Sequence, residues 1–152
     1  MDIVVPGISG FIGVLVMTLF LRRARFLHLP ESQMVRAIGS MITKNYDTSL
    51  IPGTIVHFTI GTFFGYVYWF LLQTAPEQQH WHTMVYVAAC GMMGLVHGLV
   101  VTLFLVIAVA QYHPVERFQK LTPNDMVSHV IAHLAYGVTV GFFLSSLPGM
   151  LG

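Results

Sequence analysis

Charge is what this sequence has least of. Seven Lys and Arg and six Asp and Glu in 152 residues leave it 9% charged with a net charge of +1, where a soluble domain is about one quarter charged. That excludes a soluble domain of this length, which has too much surface for its volume to hide a 55% apolar composition. It also argues against nucleic-acid binding, since no basic patch exceeds a few residues. Cysteine is nearly absent as well. The single Cys90 excludes an internal disulfide, a Cys-x-x-Cys-His haem attachment and an all-Cys metal site. Phosphate-loop and nucleophile signatures are missing: no Gly-x-x-x-x-Gly-Lys occurs, and Ser9, Ser128, Ser145 and Ser146 lack a base and an orienting acid at readable spacing. No catalytic constellation is therefore readable.

What is present is apolar length, with a mean hydropathy of +0.73. Four runs, roughly residues 3–21, 52–72, 84–110 and 126–147, are each long enough for a helix to cross a bilayer core, which takes about 20 residues. Helices are expected because lipid offers the backbone no hydrogen-bond partner. The reading is an all-α integral membrane protein, one four-helix transmembrane domain over residues 1–152. The first run lacks a preceding basic stretch, unlike a cleaved signal. Arg22, Arg23, Arg25, Arg36 and Lys44 follow the first run, Arg117 and Lys120 follow the third, and residues 73–83 have none. The basic side is expected to be cytoplasmic, with both termini outside. Residues 30–43 read as an interfacial amphipathic helix, with Met34, Val35, Ile38, Met41 and Ile42 on one face and Pro30 in its first turn. Thr122, Pro123 and Asp125 read as N-cap, first-turn proline and N3 carboxylate of the fourth helix.

The chain also repeats itself. Shifted by 84 residues, Gly7–Leu21 lies over Gly91–Leu105 with eight of 15 positions identical, Thr18 over Thr102 among them. Shifted by 76, His57, Gly61 and Gly65 lie over His133, Gly137 and Gly141. This predicts two tandem helical hairpins, about residues 3–72 and 84–147, related by a pseudo-two-fold axis along the membrane normal. His28 and Glu31 lie over His113 and Glu116 at one residue more, and each His is expected to pair with its Glu.

The motif His-x-x-x-Gly-x-x-x-Gly supports two readings. Gly61, Gly65, Gly137 and Gly141 lie on helix faces where small residues let backbones approach. Alternatively, they clear a groove for a flat cofactor, with His57 and His133 as axial ligands of a haem b. His129 and His133 are four apart on one helix. With His57, and with His97 near the middle of the third run, they offer a copper or zinc site. His80 and His82 flank Trp81 in the outer loop. Each buried His is also explained by an interhelical hydrogen bond.

Several segments resemble a group of small uncharacterised bacterial four-helix inner-membrane proteins of the YagU-like type. They are Leu15-Val-Met-Thr18, Leu29-Pro-Glu31 with Ile38-Gly39-Ser40-Met41, His57-Phe-x-Ile-Gly61-x-x-x-Gly65 and His133-Leu-x-Tyr-Gly137-x-x-x-Gly141. The resemblance implies a four-helix fold in the bacterial inner membrane and no activity. The first functional expectation is a non-catalytic accessory or assembly subunit, docked on other membrane subunits or on itself within a larger, respiratory or redox complex. The second is a haem b or metal-binding electron carrier using His57 and His133. The third is a small transporter or proton-conducting protein with the buried histidines as relay.

Overall fold

The computed structural model describes residues 3–29, 32–77, 80–120 and 122–151, and these are overwhelmingly helical. Four helices are long and apolar enough to cross a membrane. They are α1 (Val4–Arg23), α3 (Leu50–Gln73), α4 (Thr83–Phe104) and α5 (Pro123–Leu151), with the shorter α2 (Met34–Thr43) between the first two. α4 runs on through a π-helical turn (Leu105–Val109) into a last α-helical turn (Ala110–Tyr112). These bounds contain each of the four apolar runs to within one residue.

Local signals explain the ends. The α5 N-terminus is a capping box: Asp125 N–H donates to Thr122 Oγ1 (3.2 Å), and Thr122 N–H donates to Asp125 Oδ2 (2.8 Å). α2 stops at Lys44, whose φ of 54° turns the chain left-handed while its N–H bonds to Ser40 O. α2 begins at Met34, four residues later than the expected start, with Ser32 Oγ accepting from Met34 N–H (3.3 Å). Pro30 and Glu31 lie outside the described residues, and with them the expected His28–Glu31 pair.

Packing follows glycine. α1 lies against α3 where Gly10 meets Gly65: a Cβ built on Gly10 would stand 2.6 Å from Thr62 O and 3.0 Å from Gly65 Cα. α4 lies against α5 where Gly94 meets Gly137, with 3.1 Å from a Cβ on Gly94 to Gly137 Cα. α1 also packs on α5, and α2 on α3. In that last contact a Cβ on Gly39 would overlap Ser49 O, and one on Gly53 would overlap Val35 O. The core runs along the α1–α5–α4 seam through Val14, Tyr136, Val140, Leu144 and Cys90. α3 and α4 meet through side chains instead: the Phe64 ring stacks on His97 at 4.1 Å, and Tyr68 Oη shares a 3.2 Å hydrogen bond with His97 Nδ1.

The basic end is tied together by Tyr46. The Arg36 and Arg117 guanidinium carbons stand 4.7 and 4.4 Å from its ring centroid, and Arg36 Nη1 donates to Tyr46 O (2.9 Å). His113 is 1% exposed and ties the loop after Tyr112 to α2. Its Nδ1 accepts from Val115 N–H (3.1 Å) and its Nε2–H donates to Ala37 O (3.0 Å). Both ring nitrogens are thus engaged by backbone, which leaves neither for Glu116.

Candidate functional site

Below the Phe64–His97–Tyr68 contact, toward the basic end, α3 and α4 diverge and leave a cavity of about 510 Å³. α2 roofs it with Met34, Ala37, Ile38, Met41 and Ile42, largely the face expected to lie on a membrane. Met17 and Leu21 of α1, Val56, Ile60 and Gly61 of α3, and Val101, Phe104, Leu105 and Val109 of α4 complete its apolar wall. Ile42, Ile60 and Phe104 on its rim are exposed, so it opens sideways between the helices through an apolar rim.

The polar side chains in this wall are Tyr136 and four histidines: His57, His97, His129 and His133. The structure therefore gathers all four sequence candidates around one space. His97, whose facing no sequence pattern revealed, points inward, with its ring 4.9 Å from that of His133. Their hydrogen bonds assign the tautomers. Thr18 Oγ1–H donates to Val14 O (2.6 Å), so the 3.1 Å contact between Thr18 Oγ1 and His57 Nε2 requires His57 Nε2 to carry the proton. His129 Nδ1–H donates to Asp125 O (3.2 Å), and His133 Nδ1–H donates to His129 O (2.8 Å). The lone pairs left over are on His57 Nδ1, His129 Nε2 and His133 Nε2. A backbone carbonyl holding one ring nitrogen is the usual support for a histidine that uses its other nitrogen as a ligand.

The second of these lone pairs is sealed. His129 Nε2 is buried with no partner among the described residues, and so is Thr102 Oγ1. The antiparallel register puts them on facing turns of α4 and α5, with no hydrogen bond between them. Val14 faces Gly61 and Thr18 faces His57 one turn on; Gly98 faces His133, and one turn on Thr102 falls opposite His129. Among the described residues no group of three His, Cys, Asp or Glu stands placed to hold a metal ion. A copper or zinc site of His57, His129 and His133 is thus not assembled here. His80 and His82 are exposed on the far loop.

The glycines divide. Gly65, Gly137 and Gly141 are filled by neighbouring helices: Pro6 and Gly10 on the first, Cys90 and Gly94 on the second, Tyr86 and Cys90 on the third. Only Gly61 both touches a helix, at Val14, and borders the cavity. Tyr136 O–H donates to its carbonyl (2.6 Å) across the bundle. Thr18, Tyr68 and Tyr136 are the site residues that periodicity alone missed. A hydroxyl at membrane depth needs a partner, and that requirement was the available signal.

A second, polar pocket of about 210 Å³ adjoins the cavity, lined by Thr18, Arg22, Ser32, Gln33, Arg36, Tyr46 and His57 among others. His57, Leu21 and Met34 border both spaces.

No family model, no curated protein and no solved structure matches this chain.

Proposed function

We propose that this protein is a membrane electron carrier that holds a flat, lipid-soluble cofactor in the histidine cavity, and that haem b is the best fit. One observation carries the reading. His57 and His133 stand on different helices around an apolar space, and each has one nitrogen tied to the protein and a lone pair left on the other. Lone pairs without donors in an apolar wall suit a metal centre better than an uncharged hydrocarbon. His133 offers Nε2; His57 offers Nδ1, or Nε2 if Thr18 releases it. When bound, the haem would supply one-electron chemistry. The chain's own part is to bind the ring, orient it through the two imidazoles and exclude water with α2 and Phe64. The test is an optical spectrum of the purified protein, oxidised and dithionite-reduced, with metal analysis of the same sample. A Soret band lost in His57→Ala and His133→Ala supports the reading. A featureless spectrum after haemin has been supplied would end it.

The setting proposed with it is the bacterial cytoplasmic membrane, basic end inside and both termini outside, with α2 along the inner surface and two hairpins related by a pseudo-two-fold axis. Contacts suggest a different correspondence within that repeat from the one in the sequence. Gly10 against Gly65 matches Gly94 against Gly137, which pairs His57 with His129 and leaves His133 without a histidine counterpart.

A second reading has its own support, the sideways opening rimmed by Ile42, Ile60 and Phe104. A transmembrane helix of another subunit seated there would make this chain an accessory or assembly subunit of a larger complex. A stable, haem-loaded protein purified without a partner counts against that reading.

A further inference from the structure

The two adjoining spaces differ in chemistry, and that difference describes one kind of ligand. The larger cavity is walled almost entirely by apolar side chains. The smaller pocket carries two guanidinium groups, Arg22 and Arg36, and no carboxylate among its described lining residues. His57 stands between them and borders both.

We propose that the pocket between α1 and α2 binds the anionic head, a carboxylate or phosphate, of an amphiphile whose apolar body lies in the histidine cavity. The inference rests on the cavity's being a ligand site, as argued above, and adds the charge of the ligand and the place of its head.

The donors are held ready. Arg36 is fixed by its bond to Tyr46 O (2.9 Å) and by the Tyr46 ring beneath it, and a guanidinium has further N–H groups to offer. Gln33 Oε1 accepts from Tyr46 O–H (3.0 Å), so its amide N–H groups remain for an anion. Charge-assisted bonds from planar guanidinium groups suit carboxylate and phosphate alike. The pocket lies at the basic end, level with the start of α2, where a bilayer places its phosphates and where the polar edge of an inserted ring reaches water. Two sources share this chemistry: the two propionates of haem, and the phosphate of an anionic phospholipid.

The experiment uses the full chain in mild detergent and in nanodiscs, as wild type, R22Q and R22Q/R36K. Arg22 is exposed, so R22Q leaves the fold intact, and R36K keeps a cation beside Tyr46. Haemin and haemin dimethyl ester are titrated by absorbance. Retention of phosphatidylglycerol over phosphatidylcholine is read by native mass spectrometry. If the carboxylates are the head, haemin binds the variants about two- to fivefold more weakly at each step, the loss expected for partly exposed charged contacts, while the dimethyl ester binds all three alike. If phospholipid is the source, haemin does not bind, phosphatidylglycerol is retained by the wild type and its preference falls in the variants. That result keeps the inference and removes the haem reading. If neither haemin nor phosphatidylglycerol depends on the arginines, the inference is overturned, and haem binding to the wild type would still leave the haem reading standing.

Discussion

Gly137→Ala tests the seam on which the cavity is built. A methyl at Gly137 would overlap Cys90 O and stand 3.0 Å from Gly94 Cα, both backbone atoms that cannot rotate away. Ordinary contact begins near 3.4 Å, so α4 and α5 must separate by roughly 1 Å. A gap of that size forfeits a quarter to a half of each dispersion contact along it, and overpacking of this kind costs about 1–3 kcal/mol. At about 2 kcal/mol the open population of the seam rises roughly thirtyfold. Cys90 reports it directly: it is 0% exposed, stands on the seam and is the chain's one thiol. Its alkylation rate with a membrane-permeant maleimide should rise by about that factor in Gly137→Ala. Gly91→Ala is the control, since its methyl meets only Val138 Cγ2 at 3.3 Å and Leu134 Cδ1 at 3.7 Å, both able to move. Gly149→Ala meets nothing within 4 Å. Equal alkylation rates in Gly137→Ala and Gly91→Ala would refute the argument that backbone contact at Gly137 holds the two helices together.

Thr18→Val removes the acceptor of His57 Nε2–H and should cost about 1 kcal/mol in thermal unfolding monitored by circular dichroism; an unchanged midpoint counts against the tautomer assigned to His57. Thr102→Val removes an unpartnered hydroxyl and should be neutral or stabilising in the same assay, so a loss as large as that of Thr18→Val would mean that Thr102 has a partner. His113→Ala leaves Ala37 O and Val115 N–H without their links and should loosen α2, read as faster proteolysis between residues 37 and 46; equal cleavage rates in variant and wild type would show that the histidine does not hold α2. Tyr68→Phe frees His97 Nδ1 and should shift any bound haem spectrum without abolishing it, whereas complete loss of the spectrum would make Tyr68 part of the binding machinery itself.

The sequence made the spans legible because lipid demands unbroken apolar length, and α1, α3, α4 and α5 extend past the runs by a few residues at most. The α5 cap was equally plain, since Thr122 and Asp125 act within one turn. What stayed hidden depends on faces. In an all-apolar helix such as α4 no polar stripe marks the inside, so His97 could be placed only by the Phe64 ring that stacks on it. The glycine strips announced close contacts without naming partners, and Gly65, Gly137 and Gly141 meet helix backbones or the side chain of Cys90, the packing expected first and not the alternative open groove. The cavity itself arises from α2 lying over α3 and the far end of α4, a juxtaposition of distant segments that no spacing encodes. The expected pairing of His113 with Glu116 gave way for a related reason: the backbone of Val115 and of Ala37 reached the imidazole first.

The sideways opening of the cavity changes what affinity means for this protein. In the membrane setting proposed above, a ligand that arrives through the rim at Ile42, Ile60 and Phe104 comes from the bilayer, so its supply is a mole fraction among lipids and not a concentration in water. Lipid tails occupy the same solvent and compete for the same rim. A detergent chosen for purification becomes a rival ligand at many times any cofactor's abundance. On the reading proposed above, loading is therefore measured first in native membranes and then after haemin has been supplied in detergent.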